Sequence, residues 1–160
     1  MRNFQIKSTS TEETQNIASK ISSFFKAGDI IILEGNLGAG KTHFVKGFAE
    51  NLILENDVKS PTFSIANFYK TQEKTEILHI DLYRLSTIEE FINLGLNDYF
   101  QNTIVFVEWG KQFSECFDEY IVISLQKGEV DDDRIISFDF ENTTNTILKE
   151  NIINTLTYCK

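Results

Sequence analysis

Gly35-Asn36-Leu37-Gly38-Ala39-Gly40-Lys41-Thr42 fills every fixed position of the phosphate-loop pattern G-x-x-x-x-G-K-[ST]. Just before it, Asp29-Ile30-Ile31-Ile32-Leu33-Glu34 is a run of branched apolar residues long enough for one buried strand. Just after it, Phe44, Val45, Phe48 and Leu52 recur on one helical face, and no proline interrupts residues 41–52. The motif therefore falls where strand turns into helix. That context separates a nucleotide site from a chance glycine-rich turn.

The residue types follow from the physics of such a loop. Gly35, Gly38 and Gly40 permit backbone conformations and close approaches that a side chain would block, so successive N–H groups can converge on phosphate oxygens. A helix starting near Lys41 adds the partial positive charge of its first turn. The Lys41 ammonium would reach the β- and γ-phosphates, and the Thr42 hydroxyl would be offered to a magnesium ion.

The chain has 160 residues, which predicts one domain over residues 1–160 with a core that needs no disulfide or metal staple. A net charge of −9 and a pI near 4.7 argue against broad contact with nucleic acid, which needs clustered Lys and Arg. Cys116 and Cys159 belong to no metal or redox spacing and read as reduced thiols of a cytosolic protein. The N-terminus alternates apolar and polar residues and lacks a signal-peptide core. No stretch approaches the ~18 consecutive apolar residues of a membrane helix. A soluble, cytoplasmic protein with no membrane contact is expected.

Along the chain, residues 4–6 suit a short edge strand. Ser10 or Thr11 would cap a helix carrying Ile17, Ala18, Ile21, Phe24 and Phe25, with Gly28 as its stop. Pro61, the one proline, stiffens the Ser60-Pro61-Thr62-Phe63 turn. Residues 63–69 and 75–81 read as a hairpin. A capped helix runs from Ser86 or Thr87 to Gly95, and residues 103–107 are apolar enough for a strand buried on both faces of a parallel sheet. Two further strands (119–125 and 134–140) and a closing helix (143–158) complete the order. The fold class is α/β: a mainly parallel central sheet flanked by helices, as in P-loop NTPases, with antiparallel hairpins at the edge.

A phosphate loop needs a carboxylate near the magnesium ion, usually delivered by an apolar strand. Two compete here: Asp81 after Ile77-Leu78-His79-Ile80, and Glu108 after Ile104-Val105-Phe106-Val107. Asp131-Asp132-Asp133 reads as a solvated hairpin tip, since adjacent acids lack the spacing of a calcium loop. His43 and His79 have no serine or cysteine partner at a recognisable spacing and are not read as catalytic. Trp109 suits either core packing or a contact surface.

In this order the segments resemble the TsaE (YjeE) family, over nearly the whole chain. The family's G-[DN]-L-G-A-G-K-T appears at residues 35–42, its S-P-T-[FY] at 60–63, its H-x-D-[LV]-Y-R at 79–84, its G-[LI]-x-[DE]-Y-F at 95–100 and its E-W at Glu108-Trp109. An early E-x-T-like element lies in Glu12-Glu13-Thr14. The resemblance implies a magnesium-dependent P-loop ATPase of bacterial tRNA threonylcarbamoyladenosine synthesis. It would bind ATP, dock on the TsaB and TsaD proteins and reset their complex between turnovers, meeting tRNA only through them.

By the same resemblance Lys41 holds phosphate, Thr42 and Glu108 hold Mg²⁺, Asp81 orients water or metal, and Thr62 senses the γ-phosphate. The loop residues Gly35, Asn36, Leu37, Gly38, Ala39, Gly40 and His43 join Lys41 and Thr42 around the nucleotide, and Glu12, Thr14, Lys111 and Arg134 match places near it. Asn36 stands for the commoner aspartate and His43 for a second hydroxyl residue; His43 keeps its backbone N–H. A P-loop kinase would carry an Arg-rich lid, yet Arg84 and Arg134 are the arginines after the loop. A GTPase would carry N-K-x-D, and a glycine three residues after Asp81 where Arg84 stands. A binding module with incidental hydrolysis is the reading from a different class.

Overall fold

The computed structural model describes residues 3–52, 58–62, 64–73 and 75–158. Seven strands form one sheet in the order β1-β7-β6-β2-β5-β4-β3: β1 Asn3–Ser8, β2 Ile30–Glu34, β3 Ala66–Lys70, β4 Glu76–Asp81, β5 Thr103–Glu108, β6 Ile121–Lys127 and β7 Arg134–Asp139. The central strands β6, β2, β5 and β4 are mutually parallel. Antiparallel partners close both margins, β7 and β1 on one side and β3 on the other. The expected α/β architecture is the observed one.

Parallel strands covered on both faces must be apolar at nearly every position. In β5, Ile104 and Phe106 face a cluster built with α1 (Thr11–Ser22), α2 (Lys41–Ala49) and α4 (Thr146–Tyr158). Val105 and Val107 face the opposite cluster, with Phe91 of α3 (Ile88–Asn93) and with Leu96, Phe113 and Phe117 around two 3₁₀ segments. β2 repeats the alternation: Ile31 and Leu33 go to the first cluster and Ile32 to the second. Because side chains alternate with period two, the residues that end these strands also have assigned faces.

Local signals place the helices. Ser10 caps α1, accepting from the Glu13 N–H at 3.0 Å. The Glu13 carboxylate turns back to accept from the Thr9 N–H and hydroxyl at 2.6 and 2.7 Å, bonds that hold its carboxyl below the usual range. Thr87 caps α3 in the same way, and Gly95 ends it at φ 69°.

Several readings need correction, among them the end of α2, which comes at Ala49 rather than at Leu52, and the start of α4, which comes at Thr146 rather than at Thr143. α1 ends at Ser22 rather than near Gly28, whose φ of 100° belongs to a later turn that bonds to Thr103. β3 starts at Ala66 because Ile65 sits at φ 68°, outside strand geometry. Asp133 is not part of a solvated tip: it is buried and lies 2.6 Å from Lys7, whereas Asp131 and Asp132 are exposed. Cys116 is a free, half-buried thiol whose pKa burial pushes up; Cys159 and Phe63 lie outside the described residues.

α1 and α2 pack so closely at Gly47 that a Cβ there would strike the Gln15 main chain. Gly47→Ala should therefore lower stability by about 1–3 kcal/mol, although alanine favours an isolated helix by ~1 kcal/mol. Urea unfolding checks this: a midpoint unchanged or raised would mean the helices separate freely.

Candidate functional site

The loop between β2 and α2 is shaped by its neighbours. Gly35, Gly38 and Gly40 take φ of 147°, 78° and 105°. At Gly35 a Cβ would stand 2.6 Å from the Leu125 carbonyl oxygen of β6, so the loop leaves β2 pressed against the next strand. Arg134, at the start of β7, then reaches across. Its Nε donates to the Ala39 carbonyl at 2.8 Å and its Nη2 to the Gly38 carbonyl at 3.4 Å, while Nη1 donates to the carbonyls of Asp131 and Asp133. Carbonyls drawn toward Arg134 leave the loop's N–H groups to point elsewhere. Gly40, at the helix N-terminus, supplies no side-chain cap, so the first turn of α2 keeps donors available for an anion.

Asp81 and Glu108 end adjacent parallel strands and are directly paired in register. Alternation puts both on the α2 side of the sheet, two residues beyond His79 and Phe106 respectively. Both are buried. Asp81 is held by two donors: the Thr62 hydroxyl to Oδ2 at 2.9 Å and the Tyr83 N–H to Oδ1 at 2.9 Å. The Ser60 and Thr62 hydroxyls share a further hydrogen bond at 2.8 Å. Glu108 Oε2 lies 3.4 Å from Nε2 of the buried His79.

Lys41 folds back over the loop, donating from Nζ to the Gly35 carbonyl at 2.6 Å, with Nζ 5.1 Å from the centroid of the Trp109 ring. Trp109 is 44% exposed and packs on Tyr83 at 5.1 Å, so it belongs to the surface of the crevice rather than the core. Three clefts surround the loop. One of about 590 Å³ is lined by Thr42, His43, Thr62, Asp81, Glu108 and Trp109. A second, of about 630 Å³, runs along Glu34, Asn36 and residues 124–127 at the end of β6. A third, of about 550 Å³, brings Lys111 and Gln112 beside Lys41; Lys111 Nζ is 3.8 Å from Glu34.

The structure thus brings residues 35–43, Thr62, Asp81, Glu108 and Lys111 around one loop, with Arg134 behind it. Glu12 and Thr14 are not brought to the clefts. Glu12 is exposed on the first turn of α1, and the buried Thr14 hydroxyl shares a 2.7 Å hydrogen bond with Ser8. His79, Ser60 and Tyr83 are additions. For His79 the signal was present in the sequence: it precedes Asp81 by two in a strand and so shares its face.

These residues suit a magnesium–nucleotide. The open first turn of α2 and the glycine bends fit an anion, and the donors nearby are hard oxygens: the Thr42 hydroxyl and two carboxylates. Among the described residues no group of three or more His, Cys, Asp or Glu could hold a metal unaided. Mg²⁺ characteristically takes one or two carboxylates and completes its shell with phosphate oxygens and water.

A family model described as "Threonylcarbamoyl adenosine biosynthesis protein TsaE" matches residues 8–136. The chain is 38% identical over 139 residues to the tRNA threonylcarbamoyladenosine biosynthesis protein TsaE of Bacillus subtilis (strain 168), covering 86% of each. It is 33% identical over 121 residues to that of Treponema pallidum (strain Nichols), covering 74% of this chain and 88% of the relative. A crystal structure of YdiB from Bacillus subtilis superposes with a TM-score of 0.77 at 33% identity, covering 95% of both chains.

Two loop glycines should respond differently to a methyl group. Gly35→Ala meets both a left-handed φ and the Leu125 carbonyl, and should cost about 2–4 kcal/mol. Gly38→Ala meets nothing within 4 Å and should cost only the ~1–2 kcal/mol of the conformation. Denaturant unfolding of the two variants in parallel decides; equal losses would mean that the contact with β6 does not constrain the loop.

Proposed function

The chain belongs to the TsaE family, and from that premise we propose that it is the ATP-binding and ATP-hydrolysing subunit of the machinery that makes N6-threonylcarbamoyladenosine in tRNA. In this reading it works in the cytoplasm, docks on the TsaB–TsaD pair and resets that complex between turnovers. The observation that carries the nucleotide chemistry is the pairing of Asp81 with Glu108 on the face of the sheet that α2 covers, where Lys41 and Thr42 begin the helix.

The residues divide the work by position. Loop N–H groups from residues 36–42 and the first turn of α2 bind the phosphates, while Arg134 keeps the carbonyls of Gly38 and Ala39 turned away. Lys41 exchanges the Gly35 carbonyl for a phosphate oxygen, a charge-assisted and stronger partner. Thr42 and Glu108 would hold Mg²⁺ when it is bound. Asp81 orients the attacking water or shares the ion. Bound ATP–Mg²⁺ would supply a phosphoanhydride whose hydrolysis, with water taking the γ-phosphoryl group and ADP leaving, is favourable. Thr62, whose hydroxyl donates to Asp81, senses the γ-phosphate in this reading. Lys111 lies beside Lys41 in the third cleft, and we assign it to the nucleotide's surroundings.

The acidic charge supports a division of labour in which the partners hold the tRNA. Labelled ATP with Mg²⁺ should give a saturable complex, and Lys41→Ala should abolish it. Glu108→Ala should retain binding and hydrolyse ATP ~10²–10³-fold more slowly, the scale of losing one preorganised electrostatic contact. TsaB and TsaD should be recovered in a pull-down more fully with ATP than without. Absence of any saturable complex, with or without those proteins, overturns the proposal. A Lys41→Ala protein that supports full modification would favour a binding module instead.

A further inference from the structure

His79 has no exposed surface, and both of its ring nitrogens lack a hydrogen-bond partner. Buried polar side-chain atoms are nearly always satisfied, so a pair of orphans on one ring calls for a reason. Packing does not supply one. The ring sits edge-on to Phe106 at 6.4 Å, in an apolar layer that leucine would fill without unmet polar atoms. A polar group faces one nitrogen: Glu108 Oε2, 3.4 Å from Nε2.

The two strand-end carboxylates differ in how they are held. Both Asp81 oxygens accept hydrogen bonds, from Thr62 and from the Tyr83 main chain. The Glu108 side chain is 4% exposed, and the polar group recorded against it among the described residues is the His79 imidazole. We propose that His79 is a positioning residue for Glu108, its Nε2–H meeting the carboxylate from inside the core and setting the direction in which the other oxygen faces the crevice. At 3.4 Å the contact is longer than an aligned hydrogen bond, so the proposed bond requires the two groups to approach by a few tenths of an ångström. The imidazole has no exposed surface and packs edge-on to Phe106, which fixes the plane from which Nε2 meets the carboxylate. The functional side of this inference rests on the reading of Glu108 as a magnesium ligand; the contact itself does not.

Two arms test it. The nucleotide-free protein has two histidines, so His43→Asn assigns the His79 ring in long-range ¹H–¹⁵N spectra. The proton should be on Nε2, and Glu108→Gln should move that nitrogen's resonance. A proton on Nδ1, or no response to Glu108→Gln, overturns the proposal even if the protein binds no ATP.

The second arm uses His79→Leu and His79→Gln. His79→Leu should raise the Mg²⁺ concentration for half-maximal hydrolysis by ~10–100-fold, the usual consequence of losing a group that orients a ligand. Nucleotide affinity without Mg²⁺ should stay within about twofold, since the residue acts through Glu108 alone. His79→Gln, which keeps an N–H donor, should recover most of the loss. In a Glu108→Gln background His79→Leu should add nothing. A merely structural histidine would instead lower thermal stability and weaken nucleotide binding with and without Mg²⁺ in both backgrounds, and that result overturns the proposal. A wild-type protein that binds no ATP would defeat the proposed function while leaving the spectroscopic arm to decide on His79.

Discussion

β2 is gripped from both sides by parallel neighbours, β5 through Ile30 to Leu33 and β6 through Ile31 to Glu34. This double pairing sets where the phosphate loop begins. Because β6 stands alongside, Gly35 emerges against the Leu125 carbonyl and must bend away. Because β5 stands on the other side, the end of β2 lies next to Glu108, and β4 brings Asp81 one strand further out. The grip is itself a burial effect. Ile31, Ile32 and Leu33 are fully buried, and truncating any one of them would cost about 2–5 kcal/mol. The geometry of the crevice is therefore inherited from core packing, with Arg134 as a polar brace added from the β7 side.

An acidic chain with an anion site presents no contradiction once distances are compared. The carboxylates responsible for the net charge of −9 act on the crevice through water, where exposed charges are screened over about 8–10 Å. The loop N–H groups, the Lys41 ammonium and the first turn of α2 act at contact distance, partly out of water. Fixed dipoles at such range outweigh a diffuse surface charge. By the same comparison the charge of Lys111, 3.8 Å from Glu34 and largely exposed, is screened by water.

How much was legible in the sequence depended on whether a signal was periodic or positional. β2 and β5 announced themselves by unbroken apolar runs, and α1 and α3 by caps at Ser10 and Thr87. Boundaries set by single backbone torsions were not legible: Ile65 in the left-handed region delays β3, and the chain after Ser22 leaves α1 well before the glycine that appeared to stop it. Pairings across long separations were also hidden. Nothing local to Asp133 announces Lys7, and the reach of Arg134 to the Ala39 carbonyl spans most of the chain. The glycine loop was visible as a pattern, but the reason Gly35 must be glycine lies on β6.

The two described non-glycine residues with positive φ are Ile65 at 68° and Trp109 at 58°. A β-branched or bulky side chain pays about 1–3 kcal/mol for such a backbone, which persists only where the surroundings impose it. Each is joined through the main chain to one of the strand-end acidic residues. The Ile65 carbonyl accepts from the Asp81 N–H at 2.8 Å, and its own N–H bonds the Pro61 carbonyl at 2.7 Å. Trp109 follows Glu108 directly and stands beside the Lys41 ammonium. Neither the backbone at Ile65 nor the bend after β5 at Trp109 is therefore at its own conformational minimum. Each is kept there by contacts to the crevice: Thr62 on Asp81, and Trp109 on Lys41 and Tyr83. Both turns therefore hang on side chains of the crevice, Thr62 on the Asp81 carboxylate and Trp109 on the Lys41 ammonium, while the sheet beneath them is fixed by its own ladder and core.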